Sequence, residues 1–124
     1  MSRFTINPDN TVTDTTTGLI WTQNTVAKDV THEAAKEAVA ALGEGWRLPT
    51  LDELFALADR TKYSPAIDTD AFQDTANDWY WTDTPCAWNS SAVWVFAFNL
   101  GNALVNHRSY GACVRAVRVA PAGQ

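Results

Sequence analysis

Two cysteines (Cys86, Cys113), two histidines (His32, His107) and five aspartates between 68 and 83 are the residues whose types could do chemistry here. Cys86 or Cys113 could pair with His107 as thiolate and imidazolium, but no third group stands at a spacing that would orient the imidazole. His32 falls in the first turn of a predicted helix. No Cys, His or carboxylate accompanies it at ligand spacing, so it reads as an exposed helix residue and not a metal ligand. Asp68, Asp70, Asp74, Asp78 and Asp83 invite a calcium hypothesis. Asp is also a standard turn and cap former, and that reading is preferred. The chain has no Gly-rich phosphate loop, nucleophile elbow or zinc motif. No catalytic residue, no metal and no cofactor is therefore expected, and the chain does not read as an enzyme. What remains is recognition chemistry. Residues 85–91 and 106–111 are rich in Trp, Asn, Ser, Tyr and Arg. Flat aromatics and adaptable hydrogen-bonding groups suit both sugars and protein surfaces. The alternative is a pair of ordinary loops with Trp88 tucked into a sheet.

Charge narrows the partners. The chain has 124 residues, a formal net charge of -5, 46% hydrophobic content and six Trp. It is long enough to bury a core as one domain spanning 1–124. No Lys or Arg occurs from Tyr63 through His107, which argues against nucleic acid, since phosphate binding needs a clustered basic surface. Arg108, Arg115 and Arg118 follow with no acid after them. They make either a small basic patch or, for Arg115 and Arg118, residues alternating along a strand. No apolar run approaches a membrane span, so no membrane insertion is expected. Met1-Ser2-Arg3-Phe4 leads straight into strand-like sequence, which predicts synthesis in the cytoplasm without a signal peptide. Action outside the cell would then need another route, such as release within a virion.

The elements that must position these loops follow from pattern. Residues 4–7, 11–14 and 19–22 read as three short strands, with Pro8-Asp9-Asn10 and Thr15-Thr16-Thr17-Gly18 as the turns. Thr31 is a predicted N-cap for a helix through about Leu42. Ala34, Ala35, Ala38, Ala41 and Leu42 form its narrow packing face, and Gly43 its stop. Pro49 holds Leu48 extended, Thr50 caps, and Glu53 completes a capping box for a helix over about 51–60. Leu51, Leu54, Phe55, Leu57 and Ala58 give that helix its core face. Arg47 beside it is read as a structural arginine. A long connection over 61–78 is expected to be functional or folded on itself. Trp79-Tyr80-Trp81-Thr82, a doubly buried run over 93–98, residues 103–106 and 113–119 complete the predicted strands.

These residues also carry a resemblance. Trp46-Arg47-Leu48-Pro49-Thr50 followed by Glu53-Leu54 resembles the formylglycine-generating enzyme superfamily. The chain is more similar to an uncharacterised bacterial and phage domain family, typified by the C-terminal domain of a bacterial collagen-like adhesin. Four further stretches match that family in order. They are the N-terminal strands through Leu19-Ile20-Trp21, Pro65-Ala66-Ile67-Asp68 with Phe72, Trp79-Tyr80-Trp81-Thr82, and Val114-Arg115-Ala116-Val117-Arg118.

The resemblance implies an α+β, C-type-lectin-like fold with two helices packed on a twisted antiparallel sheet. In such folds a pair equivalent to Cys86 and Cys113 often forms a disulfide, which would stabilise by about 3–4 kcal/mol on chain-entropy grounds. Two reduced thiols are the alternative. The chain lacks the Glu-Pro-Asn or Gln-Pro-Asp triplet of calcium-dependent sugar-binding lectins. It also lacks the closely spaced C-terminal cysteine pair through which formylglycine-generating enzymes act, which makes that oxidoreductase chemistry the outside reading. The fold would present Trp88, Asn89, Asn102, Asn106, His107, Arg108 and Tyr110 as ligand contacts. Trp88 would be the anchor and Arg108 the bidentate orienter. The expected partner is a glycan or a surface protein of another cell. Homo-oligomers, or a phage receptor-binding or virion accessory role, stand beside this reading. The family's adhesin relatives bind sulfated polysaccharides, which sits poorly with the acidity of this chain.

Overall fold

In the computed structural model, residues 3–119 are described apart from 44, 60, 63, 64, 73, 76, 77 and 100. Short β-rich runs separated by turn residues give the first sheet. β1 (Phe4–Ile6), β2 (Thr11–Asp14) and β3 (Leu19–Thr22) form an antiparallel ladder. Asn10 and Gly18 adopt positive φ (65° and 77°) at its two turns, where Asn and Gly are tolerated. Arg3 grips the buried Asp14 carboxylate through Nε and Nη2 at 3.0 and 2.6 Å. Two-residue periodicity puts Val12, Trp21 and, from the last strand, Val117 on the core face.

The second sheet has the order β4-β8-β5-β6-β7. It comprises β4 (Ala27–Val30), β5 (Trp79–Pro85), β6 (Ala92–Ala97), β7 (Asn102–His107) and β8 (Ala112–Val114). Strand β9 (Val117–Val119) returns to the first sheet beside β3. Helix α1 (His32–Ala40) contributes Ala35 and Val39 to a core with Trp81, Val93, Val95 and Val114. Helix α2 (Leu51–Leu57) contributes Leu54 and Leu57 to a core with Tyr80, Phe96 and Phe98. Because these partners alternate along β5 and β6, the two helices cover opposite faces of one sheet. No helix among the described residues is long and apolar enough to cross a membrane.

The segment before α2 ties the layers together. Thr50 accepts from the Glu53 N–H at 3.2 Å, and Glu53 accepts from the Thr50 N–H at 2.8 Å, so the capping box is complete. Arg47 donates two parallel bonds of 2.7 Å to the same Glu53 carboxylate. Burial pushes the Glu53 carboxyl upward, but the Arg47 fork and the Thr50 N–H outweigh it and hold its pKa below the usual value. The Arg47 backbone exchanges both bonds with Val117 at 3.0 Å, and Pro49 O accepts from the Asp83 N–H. This is the structural role expected of Arg47.

Several expectations need correction. There are two sheets rather than one, and the β5–β8 pair, opposing Tyr80 to Cys113, is parallel. The strand expected over 113–119 breaks at Arg115-Ala116, because the Arg115 side chain is drawn into the seam between the sheets. Both helices stop early. At the end of α2, Ala58 is already extended (ψ 148°), and the next N–H, of Asp59, bonds Ala66 O. The edge strand β4 was not foreseen, since Lys28 and Asp29 interrupt any apolar alternation. Parts of 61–78 lie outside the described residues; the rest folds inward, burying Ala66, Ile67, Ala71 and Phe72.

The Cys86–Cys113 bridge is corrected too: both are buried free thiols. Cys113 lies opposite Tyr80, and Cys86 is six residues further along the neighbouring strand. At the rise of an extended chain that is about 20 Å, far beyond bridging reach.

Candidate functional site

Register brings the two aromatic loops together. Ala92 lies opposite His107, so the β5–β6 turn and the end of β7 share one end of the sheet. The turn is closed by Ala92 N–H to Asn89 O at 3.1 Å and by Ser91 N–H to Asn89 Oδ1 at 3.0 Å. This leaves Trp88 at the tip with 73% of its surface exposed. Its ring stands nearly perpendicular to Trp94, centroids 5.8 Å apart. In the other loop, His107 Nδ1 accepts from the Ser109 N–H at 3.2 Å and lies 2.7 Å from Ser109 Oγ. The His107 ring packs on Tyr110 at 5.6 Å, and Tyr110 is 64% exposed. The Ser109–His107 contact resembles a nucleophile and its base. It spans two positions of one tight turn, and the same nitrogen takes the backbone N–H, so its work is to lock that turn.

Arg108 joins the loops. Its N–H donates to Ser91 O at 2.9 Å and its Nε to Ser90 O at 3.0 Å. Its Nη1 approaches His32 Nδ1 at 3.3 Å, and the His32 N–H donates to Arg108 O at 3.1 Å. His32 is therefore not the exposed helix residue expected. It is 3% exposed, packs edge-on against Trp81 at 5.1 Å, and places Nε2 3.0 Å from Thr82 O. A carbonyl can only accept, so Nε2 carries the proton and Nδ1 is left to accept from Arg108. Burial lowers the His32 pKa; the Thr82 carbonyl opposes this, and the Arg108 charge adds to it. A cleft of about 440 Å³ lies over this junction, lined by Thr31, Glu33, Ser90, Ser91, His107 and Arg108 among others.

The expected contact set divides. Trp88, Asn89, His107, Arg108 and Tyr110 gather at this end. Asn102 does not: it pairs with Ala97 at the far end of β7, five residues or about 17 Å away. Asn106 is 4% exposed and donates to Gly111 O at 3.4 Å, so it braces the loop from inside. Arg108 is a staple whose Nε and Nη1 are already engaged. Trp94 was missed because the apolar run 93–98 reads as buried on both faces. It shares a strand face with Phe96, which α2 covers through Phe55, and it remains half-buried beside Val105.

Three of the aspartates expected in turns and caps are engaged there by backbone N–H groups. Asp68 accepts from the Asp70 and Ala71 N–H groups, Asp74 from the Thr25 N–H, and Asp78 from the Trp79 N–H. No group of three or more His, Cys, Asp or Glu among the described residues is placed to hold a metal ion. Burial raises the Cys113 pKa, which keeps that thiol protonated and unreactive.

A family model, the Lcl C-terminal domain, matches residues 10–118. No curated protein sequence matches the chain.

Proposed function

The chain belongs to the Lcl C-terminal domain family, and on that premise we propose that it is a non-catalytic recognition module for glycans on another cell's surface. Its contact face is the sheet end carrying Trp88, Trp94, His107 and Tyr110. The observation that carries this reading is the exposure of Trp88, held at a loop tip by a closed turn and edge-on to Trp94. An aromatic ring held this way offers a flat apolar face at little entropic cost. A sugar's C–H face stacks on it, and the sugar hydroxyls meet Asn89, Ser90 and Ser109 around it. The same features serve a protein partner, and the family's association with an adhesin supports a surface ligand in either case. Pairing of β3 with β9 closes the N- and C-terminal strands together, which supports the C-type-lectin-like reading of one domain with its loops at the other end.

The test is a glycan array run beside a pull-down from cell lysate, with wild type and Trp88→Ala. We expect Trp88→Ala to lose the bound class while keeping its melting temperature. Arg108→Ala is a poor probe of contact, because it removes the staple between the loops. A Trp88→Ala variant that binds normally, or that unfolds, overturns the assignment of this face.

A further inference from the structure

We propose a second binding site, away from the aromatic loops, that takes a hydroxylated monocarboxylate of the sugar-acid class through Arg118. The site is a cleft of about 530 Å³ whose lining includes Asp9, Asn10, Asn24, Leu42, Trp46 and Arg118. That volume lies in the range of about 300–1,000 Å³ typical of small-molecule sites.

Arg118 is singular among the described arginines. Arg3 holds Asp14, Arg47 holds Glu53, Arg108 holds Ser90 O, and Arg115 holds backbone carbonyls. The Arg118 guanidinium lies over the Trp46 ring at 5.2 Å, as Arg3 and Arg115 lie over rings of their own, and its Nε, like that of Arg115, is buried without a partner; what sets it apart is that none of its nitrogens bonds an oxygen among the described residues. No carboxylate among the described residues forms an ion pair with it. With Nε covered, the two Nη groups, which make no hydrogen bond among the described residues, are the end that can receive a planar carboxylate in two parallel bonds.

The far end of the cleft has different chemistry. Arg118 lies opposite Ile20, and Thr11 lies opposite Thr22, so Asp9 stands about four strand steps along and two strands across from Arg118, or roughly 16 Å at the backbone, with Asn10 one step nearer. Asp9 uses one oxygen to accept from the Thr11 hydroxyl at 2.6 Å. The side-chain amides of Asn10 and Asn24 make no hydrogen bond among the described residues. One cation at one end, and a carboxylate with two amides at the other, selects a ligand with a single anionic head and a hydroxyl-bearing body. A second anionic group would meet Asp9, and the net charge of -5 opposes polyanions further.

The test is isothermal titration with sodium D-galacturonate, with D-galactose as neutral control and sodium sulfate as plain anion. Heteronuclear NMR of the Trp46 indole N–H and the Arg118 Nε–H accompanies it. We expect saturable binding of galacturonate with both resonances shifted. Losing the charged fork in Arg118→Gln should weaken binding more than about tenfold. Asn24→Asp, which adds a charge at the rim without touching the Trp46 stack, should weaken it as well. Trp88→Ala should leave it unchanged, which separates this site from the aromatic loops. Failure of galacturonate to saturate, equal binding by sulfate or galactose, or full binding by Arg118→Gln overturns the proposal.

Discussion

Replacing Arg115 with Met tests whether the seam between the two sheets is held by one cation. The side chain is 0% exposed. Its Nη1 donates to Thr22 O and Gln23 O at 2.6 and 2.7 Å, and its Nη2 to Asp74 O and Thr75 Oγ1 at 3.2 and 2.9 Å. Its guanidinium also lies over the Phe72 and Tyr80 rings at 4.8 and 5.8 Å. Burial lowers its pKa, yet arginine stays charged in proteins. A buried ion pair can be replaced by apolar residues at little cost when both partners go. Here three of the four acceptors are backbone carbonyls, which no substitution removes. Met fills the volume and leaves those acceptors unmet, at about 1–3 kcal/mol each before relaxation. Relief of the guanidinium's own desolvation offsets part of that, and removing one partner of a buried charged contact typically costs about 3–5 kcal/mol. We therefore expect a loss of about 4 kcal/mol, a large share of the roughly 5–15 kcal/mol that holds a domain. In a urea melt followed by tryptophan fluorescence, a slope near 2 kcal/mol per molar turns this into a midpoint lowered by about 2 M. Arg115→Lys should fall between, since one ammonium cannot span both pairs of acceptors. A midpoint for Arg115→Met within about 0.5 M of wild type would refute the reasoning.

Thr50→Ala removes half of a complete capping box and should cost about 1 kcal/mol in the same melt. Leu54→Ala empties a fully buried position between α2 and the sheet and should cost about 2–5 kcal/mol; a loss no larger than that of a surface change would move this helix face out of the core. His32 should make stability fall with acid. Its folded pKa lies below the ordinary value of 6.5, so the unfolded chain binds the proton first, and the contribution present above 6.5 is lost as pH falls below it. Asp14 and Glu53, both held below their ordinary values of 3.8 and 4.5, act in a lower window. His32→Asn should therefore flatten the melting-temperature profile between about pH 6.5 and 5 and leave the steeper loss below pH 4.5. An unchanged slope between pH 6.5 and 5 would show that His32 is not the titrating group.

Local signals were legible where one short segment decides the outcome. Thr50 and Glu53 announce the capping box by spacing alone, and the N-terminal ladder follows from turn residues between β-branched runs. Failures came where two distant segments had to meet. His32 looked exposed because helix periodicity is silent about a carbonyl on β5 and an arginine 76 positions away. Asn102 and Asn106 have the same composition as the true loop residues. Only strand register shows that one lies at the far end of β7 and the other points inward. Trp94 hid inside an apolar run, because α2 covers that sheet face at Phe96, through Phe55, and leaves Trp94 half-buried beside it.

The arginines make the same point more sharply, and they bear on function. Arg115 and Arg118 sit three positions apart in a tail with no acidic residue, which reads as a basic patch or an alternating strand. The break at Arg115-Ala116 defeats both readings, since it hands β8 to one sheet and β9 to the other. Arg115 is turned into the seam, where its charge is consumed by carbonyls. Arg118 is left on the outer side of β9, over Trp46. With Arg3, Arg47 and Arg108 also committed to partners, one of the described arginines is left at the cleft with no oxygen bonded to its guanidinium. A shared polyanion surface would need several uncommitted cations side by side. One cation framed by Asp9 and two amides fits instead the small-ligand site proposed above, distinct from the broader contact proposed at the aromatic loops.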